Sequence, residues 1–254
     1  MTLCRPDVLN AQTPGMWRAM YGFSRDLPGD VRVVVVRGEG RSFSAGLDLS
    51  MVSGTGTGGT GTGGGRDGDG DGDSRSFAEL TALPPEECAD RIAEFQAGFT
   101  WLHRPDIISI AAVRGHAIGA GFQLALACDL RVLADDAKLS MAEVTLGLVP
   151  DLAGTKRLVD LVGYARALEI CATGRRLDAA EAERAGLATV VVPPAELDAA
   201  VRDLTAAILA GNRDAVVEIK ALLAGAAGRS PADQQRAERE AQTRRLRDLA
   251  GMGE

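Results

Sequence analysis

Val31-Arg32-Val33-Val34-Val35-Val36-Arg37-Gly38 is a β-branched run closed by glycine, and Phe43-Ser44-Ala45-Gly46-Leu47-Asp48-Leu49 follows closely behind it. A run apolar on both faces predicts a strand buried between two layers, because a strand with one wet face would alternate. The small residues after it mark where the chain turns at the edge of a sheet, where ligands of α/β sheets gather. A second pair of the same kind lies further on. Ile107-Ile108-Ser109-Ile110-Ala111-Ala112-Val113 reads as another buried strand, and Gly115-His116-Ala117-Ile118-Gly119-Ala120-Gly121 as a glycine-rich turn that opens a helix near Phe122. The first amides of such a helix are unpaired within it and carry the positive end of its dipole. Two such turns side by side would aim two N–H groups at one anionic oxygen. Each turn alone is also what tight strand-to-helix packing requires.

Outward from these stretches, helical patterns run from Glu87 to Leu102, Gly121 to Cys128, Lys156 to Thr173, Ala179 to Ala185, Glu196 to Ala210 and Asp214 to Ala224. Strands alternating with helices predict an α/β sheet with crossover connections. From Gly54 to Asp73 the chain is Gly-Thr and then Asp-Gly repeats, with almost nothing to bury, so it is expected to form a flexible loop that interrupts the domain without dividing it. Its aspartates do not follow the calcium-loop pattern that ends in glutamate. Beyond Ser230, with Pro231 at a favoured first helical position, Ala232 to Leu249 reads as one long charged helix, solvated or in contact with another subunit.

Composition narrows the function classes. The 254 residues are 46% hydrophobic, enough for one core of ordinary size. No apolar run approaches the roughly 20 residues that span a bilayer, and Met1-Thr2-Leu3-Cys4-Arg5-Pro6 has no signal-peptide apolar region, so a cytoplasmic protein is expected. Cys4, Cys88, Cys128 and Cys171 lie far apart without metal-ligand spacing, which predicts free thiols and no metal site. A net charge of -7 with no dense basic run argues against nucleic acid and for a small-molecule partner.

A third stretch, Met141-Ala142-Glu143-Val144-Thr145-Leu146-Gly147-Leu148-Val149-Pro150-Asp151-Leu152-Ala153-Gly154-Thr155, joins the two glycine turns. Together the three resemble the crotonase superfamily, also called the enoyl-CoA hydratase/isomerase family. Order, spacing and flanking residues agree from Arg5-Pro6-Asp7-Val8-Leu9-Asn10 through Thr173-Gly174 and Gly186-Leu187 to the C-terminal helices, apart from the Gly54 to Asp73 insertion. The resemblance implies an α/β spiral of ββα units over residues 1–190 and a helical trimerisation region over 191–254. It implies an acyl-CoA thioester as substrate, no cofactor beyond the coenzyme A carried by that substrate, and assembly as a homotrimer or homohexamer. Relatives begin with a strand hairpin before the Arg5 to Asn10 segment; here three or four residues precede it, so either the sheet edge is bare or the chain begins further upstream.

By position, the resemblance implies the backbone amides of Leu47 and Ala120 as an oxyanion hole. Ala45, Gly46, Asp48, Leu49 and Gly119 are the implied substrate-binding residues beside them. Preorganised amides stabilise charge developing on a thioester carbonyl without reorganising. The implied catalytic side chains are Glu143, Asp151 and Gln123. Similar hydratases carry a glutamate where this chain has Gln123, and a carboxamide can orient a water but cannot take its proton. Asp151 matches a second catalytic aspartate of dienoyl-CoA isomerases; it could equally be the N-cap of the following helix. Glu143 alone, with the oxyanion hole, suffices to move a double bond. The favoured expectation is therefore an enoyl-CoA or dienoyl-CoA isomerase. A hydratase in which Gln123 holds the water, and an acyl-CoA binding protein without turnover, are the alternatives. His116 and His103 are the two histidines, and neither is assigned chemistry.

Overall fold

A computed structural model describes residues 1–51 and 80–252. The insertion from Gly54 to Asp73, expected to be a flexible loop, lies outside the described residues.

The valine-rich run becomes β2 (Val33–Gly38), flanked in one parallel sheet by β1 (Thr2–Leu3) and β3 (Ile108–Val113), and continued by β5 (Leu130–Ala134) and β8 (Val190–Val192). The register runs Val33↔Ile108 to Arg37↔Ala112 and then Ile110↔Leu130 to Val113↔Leu133. Both faces of β2 are covered, as its composition predicts. Val34 and Val36 enter the main core, while Val33 and Val35 pack with Ile110, Ala112, Leu197 and Val201 on the other face. A smaller sheet joins β4 (His116–Ile118), β6 (Lys138–Ser140) and β7 (Leu177–Asp178), the last pair antiparallel.

On the main-core side lie α1 (Pro14–Arg25), α2 (Pro85–Thr100) and α3 (Ala120–Ala127). Trp17 of α1 meets Phe95 and Phe99 of α2 with ring centroids 5.1 and 6.1 Å apart. Helix α3 is buried along its whole length, which explains why AGFQLALA shows no amphipathic stripe. The chain continues through α4 (Gly154–Val162), α5 (Tyr164–Thr173), α6 (Ala179–Arg184), α7 (Leu197–Ala210), α8 (Arg213–Ala226) and α9 (Pro231–Leu249). No described helix is long and apolar enough to cross a membrane.

Several expectations change. The single helix expected from Lys156 to Thr173 is two, α4 and α5, broken at Gly163, whose φ of 75° is left-handed. The sheet edge beside β2 is not bare: Thr2 and Leu3 pair with Arg37 and Gly38, and the Met1 ammonium donates to the Val35 carbonyl at 2.8 Å. Helix α1 was not anticipated, although Thr13 accepts from the Met16 amide as an N-cap and Pro14 follows it. The boundary between residues 190 and 191 falls inside β8, and α7 beyond it covers one face of the sheet.

A partly buried ion pair ties α8 to this core. Lys220 Nζ donates to Asp129 Oδ2 and to the Ile107 carbonyl, both at 2.8 Å, and the same Asp129 oxygen accepts from Ser109 N and Oγ. Truncating Lys220 takes the short partner from a largely buried Asp129 and leaves it only Arg157, at 4.0 Å, as a counter-charge. Lys220→Ala is expected to lower unfolding free energy by about 3 kcal/mol, read from the midpoint of urea denaturation at an unchanged slope.

Candidate active site

The two glycine turns meet because Ser44 bridges to Ala117. Ser44 N donates to the His116 carbonyl at 2.8 Å, and Ile118 N donates to the Ser44 carbonyl at 3.0 Å. Three residues on, Leu47 bridges to Gln12: Gln12 N donates to the Gly46 carbonyl and Asp48 N donates to the Gln12 carbonyl. In extended backbone, this commits the groups on either side of Leu47 to Gln12 and turns the N–H of Leu47 the opposite way. Between the bridges, Gly46 has φ of 90°, and a Cβ there would stand 2.5 Å from the Ile118 carbonyl oxygen and 3.7 Å from the Ala120 nitrogen. Only glycine allows that approach. The amides of Leu47 and Ala120 are thereby brought to one place, and neither has a hydrogen-bond partner among the described residues.

A buried polar chain holds the first turn, and sequence reasoning missed it. Trp17 Nε1 donates to Gln12 Oε1 at 2.8 Å, Gln12 Nε2 donates to Ser44 Oγ at 3.0 Å, and Ser44 Oγ donates to the Asn10 carbonyl at 2.8 Å while accepting from Gly46 N. Asn10 itself donates to the carbonyls of Glu39 and Ser42. Thr13-Pro14, which starts α1 and so places Trp17, was the one local signal.

The amides open on a cavity of about 470 Å³. Its walls include Ala45, Gly46, Leu47, Leu49, Gly119 and Ala120 from the turns, and the three candidate side chains Gln123, Glu143 and Asp151. The rest is largely apolar, with Trp17 and Phe95 from the helix pair and Leu146 and Val149 from the segment after Glu143. Asp48 is not among the lining residues. Its carboxylate accepts from Arg5 at 2.9 Å and from Ser50 Oγ at 2.7 Å, so it anchors the turn to the Arg5 segment. His116 does not line the cavity.

Glu143 sits in a 3-10 turn, Ala142–Leu146, and is 9% exposed. Its Oε1 accepts from Gln123 Nε2 at 2.7 Å, and its buried Oε2 has no partner among the described residues. Burial raises its pKa above the ordinary glutamate value; the hydrogen bonds oppose the rise and the charge of Asp151 adds to it. Burial likewise raises Asp151. The capping reading of Asp151 is corrected: the N-cap of α4 is Ala153, with φ of 64°, and it receives no side-chain cap. The Asp151 carbonyl accepts from Gln96 Nε2 at 2.7 Å, which fixes its backbone to α2. Gln123 Oε1 is committed to backbone amides. That oxygen accepts from Leu152 N at 2.8 Å and Gly154 N at 3.3 Å.

A cavity lined by both glycine turns and by a buried carboxylate with a raised pKa is the candidate ligand site of this fold. Residues 76–248 match the family described as enoyl-CoA hydratase/isomerase. The chain belongs to that family. Among its relatives, Mycobacterium tuberculosis probable enoyl-CoA hydratase echA8 is 32% identical over 200 residues, 78% of this chain and 66% of that protein. The peroxisomal Delta(3,5)-Delta(2,4)-dienoyl-CoA isomerase of Arabidopsis thaliana is 34% identical over 201 residues, 79% of this chain and 66% of that protein. The matched part is thus just under two thirds of either curated relative. A Thermobifida fusca YX protein, crystallised in complex with CoA, is 48% identical with a TM-score of 0.86, covering 98% of this chain and 90% of that one. The same resemblance read from the three sequence stretches therefore names the family correctly, and the α/β fold with it.

Ser44 gives the site its clearest stability test. Ser44→Ala strands the Gln12 amide and the Gly46 N–H in a buried place, at about 1–3 kcal/mol for each group left unpaired. Thermal unfolding is expected to show a drop of several degrees, whereas Ser50→Ala, at an exposed position, should leave the midpoint within about a degree.

Proposed function

We propose that this chain is an acyl-CoA double-bond isomerase with Glu143 as its base. The observation that carries the reading is the pairing, in one cavity, of a buried carboxylate with an unpartnered oxygen and two unpartnered amides, while a neutral carboxamide stands at the neighbouring polar position. In a 3-enoyl thioester, Glu143 takes the proton from the α-carbon. The electron pair moves onto the thioester oxygen, which accepts from Leu47 N–H and Ala120 N–H, each donor of this kind being worth about 10²–10³ in rate. The β,γ double bond moves to the α,β position as the proton returns at the γ-carbon. Atoms and charge balance with no group beyond the substrate. Burial suits Glu143 to both halves, since a carboxyl with a pKa brought nearer neutrality gives back a proton as readily as it takes one. Asp151, half-buried at the wall of this cavity, lies where a second acid would serve a longer, dienoyl substrate.

Most of the relatives carry hydratase names, which supports a second reading, hydration of a 2-enoyl thioester. The commitment of the Gln123 oxygen to two backbone amides speaks against it. Assembly through the C-terminal helices belongs to the same proposal. Ile219, Leu223, Leu246 and Leu249 are 54, 71, 56 and 75% exposed on α8 and α9, and a trimer would cover them. Sedimentation should then give three or six times the chain mass.

Turnover of 3-enoyl-, 3,5-dienoyl- and 2-enoyl-CoA by the wild type and Glu143→Gln tests the reading. Isomerisation is expected to exceed hydration and to fall by about 10²–10⁴ in the variant. Hydration in excess would replace it with the hydratase, and tight binding without turnover would replace it with a carrier. The base must be ionised, so kcat/KM is expected to rise with pH through a value above the ordinary glutamate range. Stability moves the other way. A group whose folded pKa is raised stabilises the native state below its unfolded pKa, and this is lost as pH rises through the folded value. Glu143→Gln is therefore expected to melt higher than wild type at neutral pH, with the difference shrinking as pH falls toward the unfolded value.

A further inference from the structure

We infer that Gln123 is a positioning residue: it clamps the Glu143 carboxylate onto the start of α4 and so confines the site to one carboxylate on this wall, favouring proton transfer between carbons over hydration. The kinetic part of this inference rests on Glu143 being the base, as proposed above; the structural part does not.

Gln123 is 1% exposed on the fully buried α3. Its side chain spans three elements. Nε2 donates to Glu143 Oε1 at 2.7 Å, and Oε1 accepts from Leu152 N at 2.8 Å and Gly154 N at 3.3 Å. A carboxamide oxygen has two acceptor sites, and both are taken. The opposite amide orientation would set its oxygen against the carboxylate and its NH₂ against two N–H donors, so the network admits one orientation. Gln123 can then neither accept a proton from water nor turn to do so. Its grip leaves Glu143 Oε2 as the carboxylate oxygen without a partner among the described residues.

The start of α4 is shaped to this contact. A Cβ at Gly154 would stand 2.8 Å from Gln123 Cγ and 3.1 Å from its Oε1, so the close approach depends on glycine there. The clamp is also neutral. The charged or titratable groups that face Glu143 are Asp151, from the segment before α4, and Cys171, on α5. A glutamate at 123 would put a second negative charge at hydrogen-bonding distance from Glu143, where two carboxylates hold one proton between them.

The test reads Glu143 directly, by ¹³C NMR titration of labelled glutamates in the ligand-free protein, with its signal assigned by loss in Glu143→Gln. Gln123→Met removes the donor at similar volume and is expected to raise the Glu143 titration by about one to two pH units, the worth of a hydrogen bond to a charged group. Gly154→Ala, which displaces the clamp without changing it, should shift the titration the same way and serves if the methionine variant folds poorly. Gln123→Glu should split the titration into two steps that straddle the wild-type value. An unmoved Glu143 titration in folded Gln123→Met or Gly154→Ala would overturn the clamp and leave Gln123 a packing residue. The acid limb of kcat/KM should move with the NMR value, and hydration relative to isomerisation should rise at least about tenfold in Gln123→Glu, as expected for restored general acid–base capacity. A wild type that hydrates 2-enoyl-CoA as fast as Gln123→Glu would overturn the confinement to one carboxylate. A wild type with no turnover would sink the isomerase reading, while the titration would still decide the clamp.

Discussion

Everything in the site depends on one close approach, that of Gly46 to the Ile118 carbonyl. Backbone packed that tightly leaves no room for a side chain, and the Ser44 and Leu47 bridges on either side determine which N–H groups are spent and which are not. Among the described residues the amide of Leu47 comes out unpartnered as a consequence of this ladder, and that of Ala120 because it opens its helix. A donor pair set by backbone geometry needs no rearrangement when charge develops beside it. The buried chain from Trp17 through Gln12 to Ser44 has its place for the same reason: it holds the only hydroxyl that fixes the Gly46 turn among the described residues.

The second constraint is electrostatic. Removing Glu143 from water disfavours its charged form, and a hydrogen bond from its own backbone together with that from Gln123 offsets part of that cost. The result is a carboxylate held in one place, with its pKa above the ordinary glutamate value. Asp151, half-buried at the same wall, raises Glu143 further through its charge. Gln123 ties Glu143 to the start of α4 without adding charge.

Much of the architecture was legible along the chain. The Val31 to Gly38 and Ile107 to Val113 runs became β2 and β3 nearly at the expected bounds, because a strand covered on both faces must be apolar throughout. The break at Gly163 was missed because Lys156 to Thr173 keeps helical periodicity across it, and one left-handed residue suffices to redirect the chain. Strand β1 is two residues long, too short for any period to register. For Asp151, the local pattern left a cap and a catalytic place equally open, and the residue stands two positions before the actual N-cap and lines the cavity.

By itself, the sequence determined the element types, the places of the two turns, and the family, since these rest on local periodicity and on where only small residues fit. Tertiary structure alone decided which groups are paired. Gln123 meets a carboxylate 20 residues away and an amide 29 residues away, and Asp48 is turned to Arg5 across 43 residues. Such pairings follow from how the layers close, and burial sets the strength of each interaction only after they have closed.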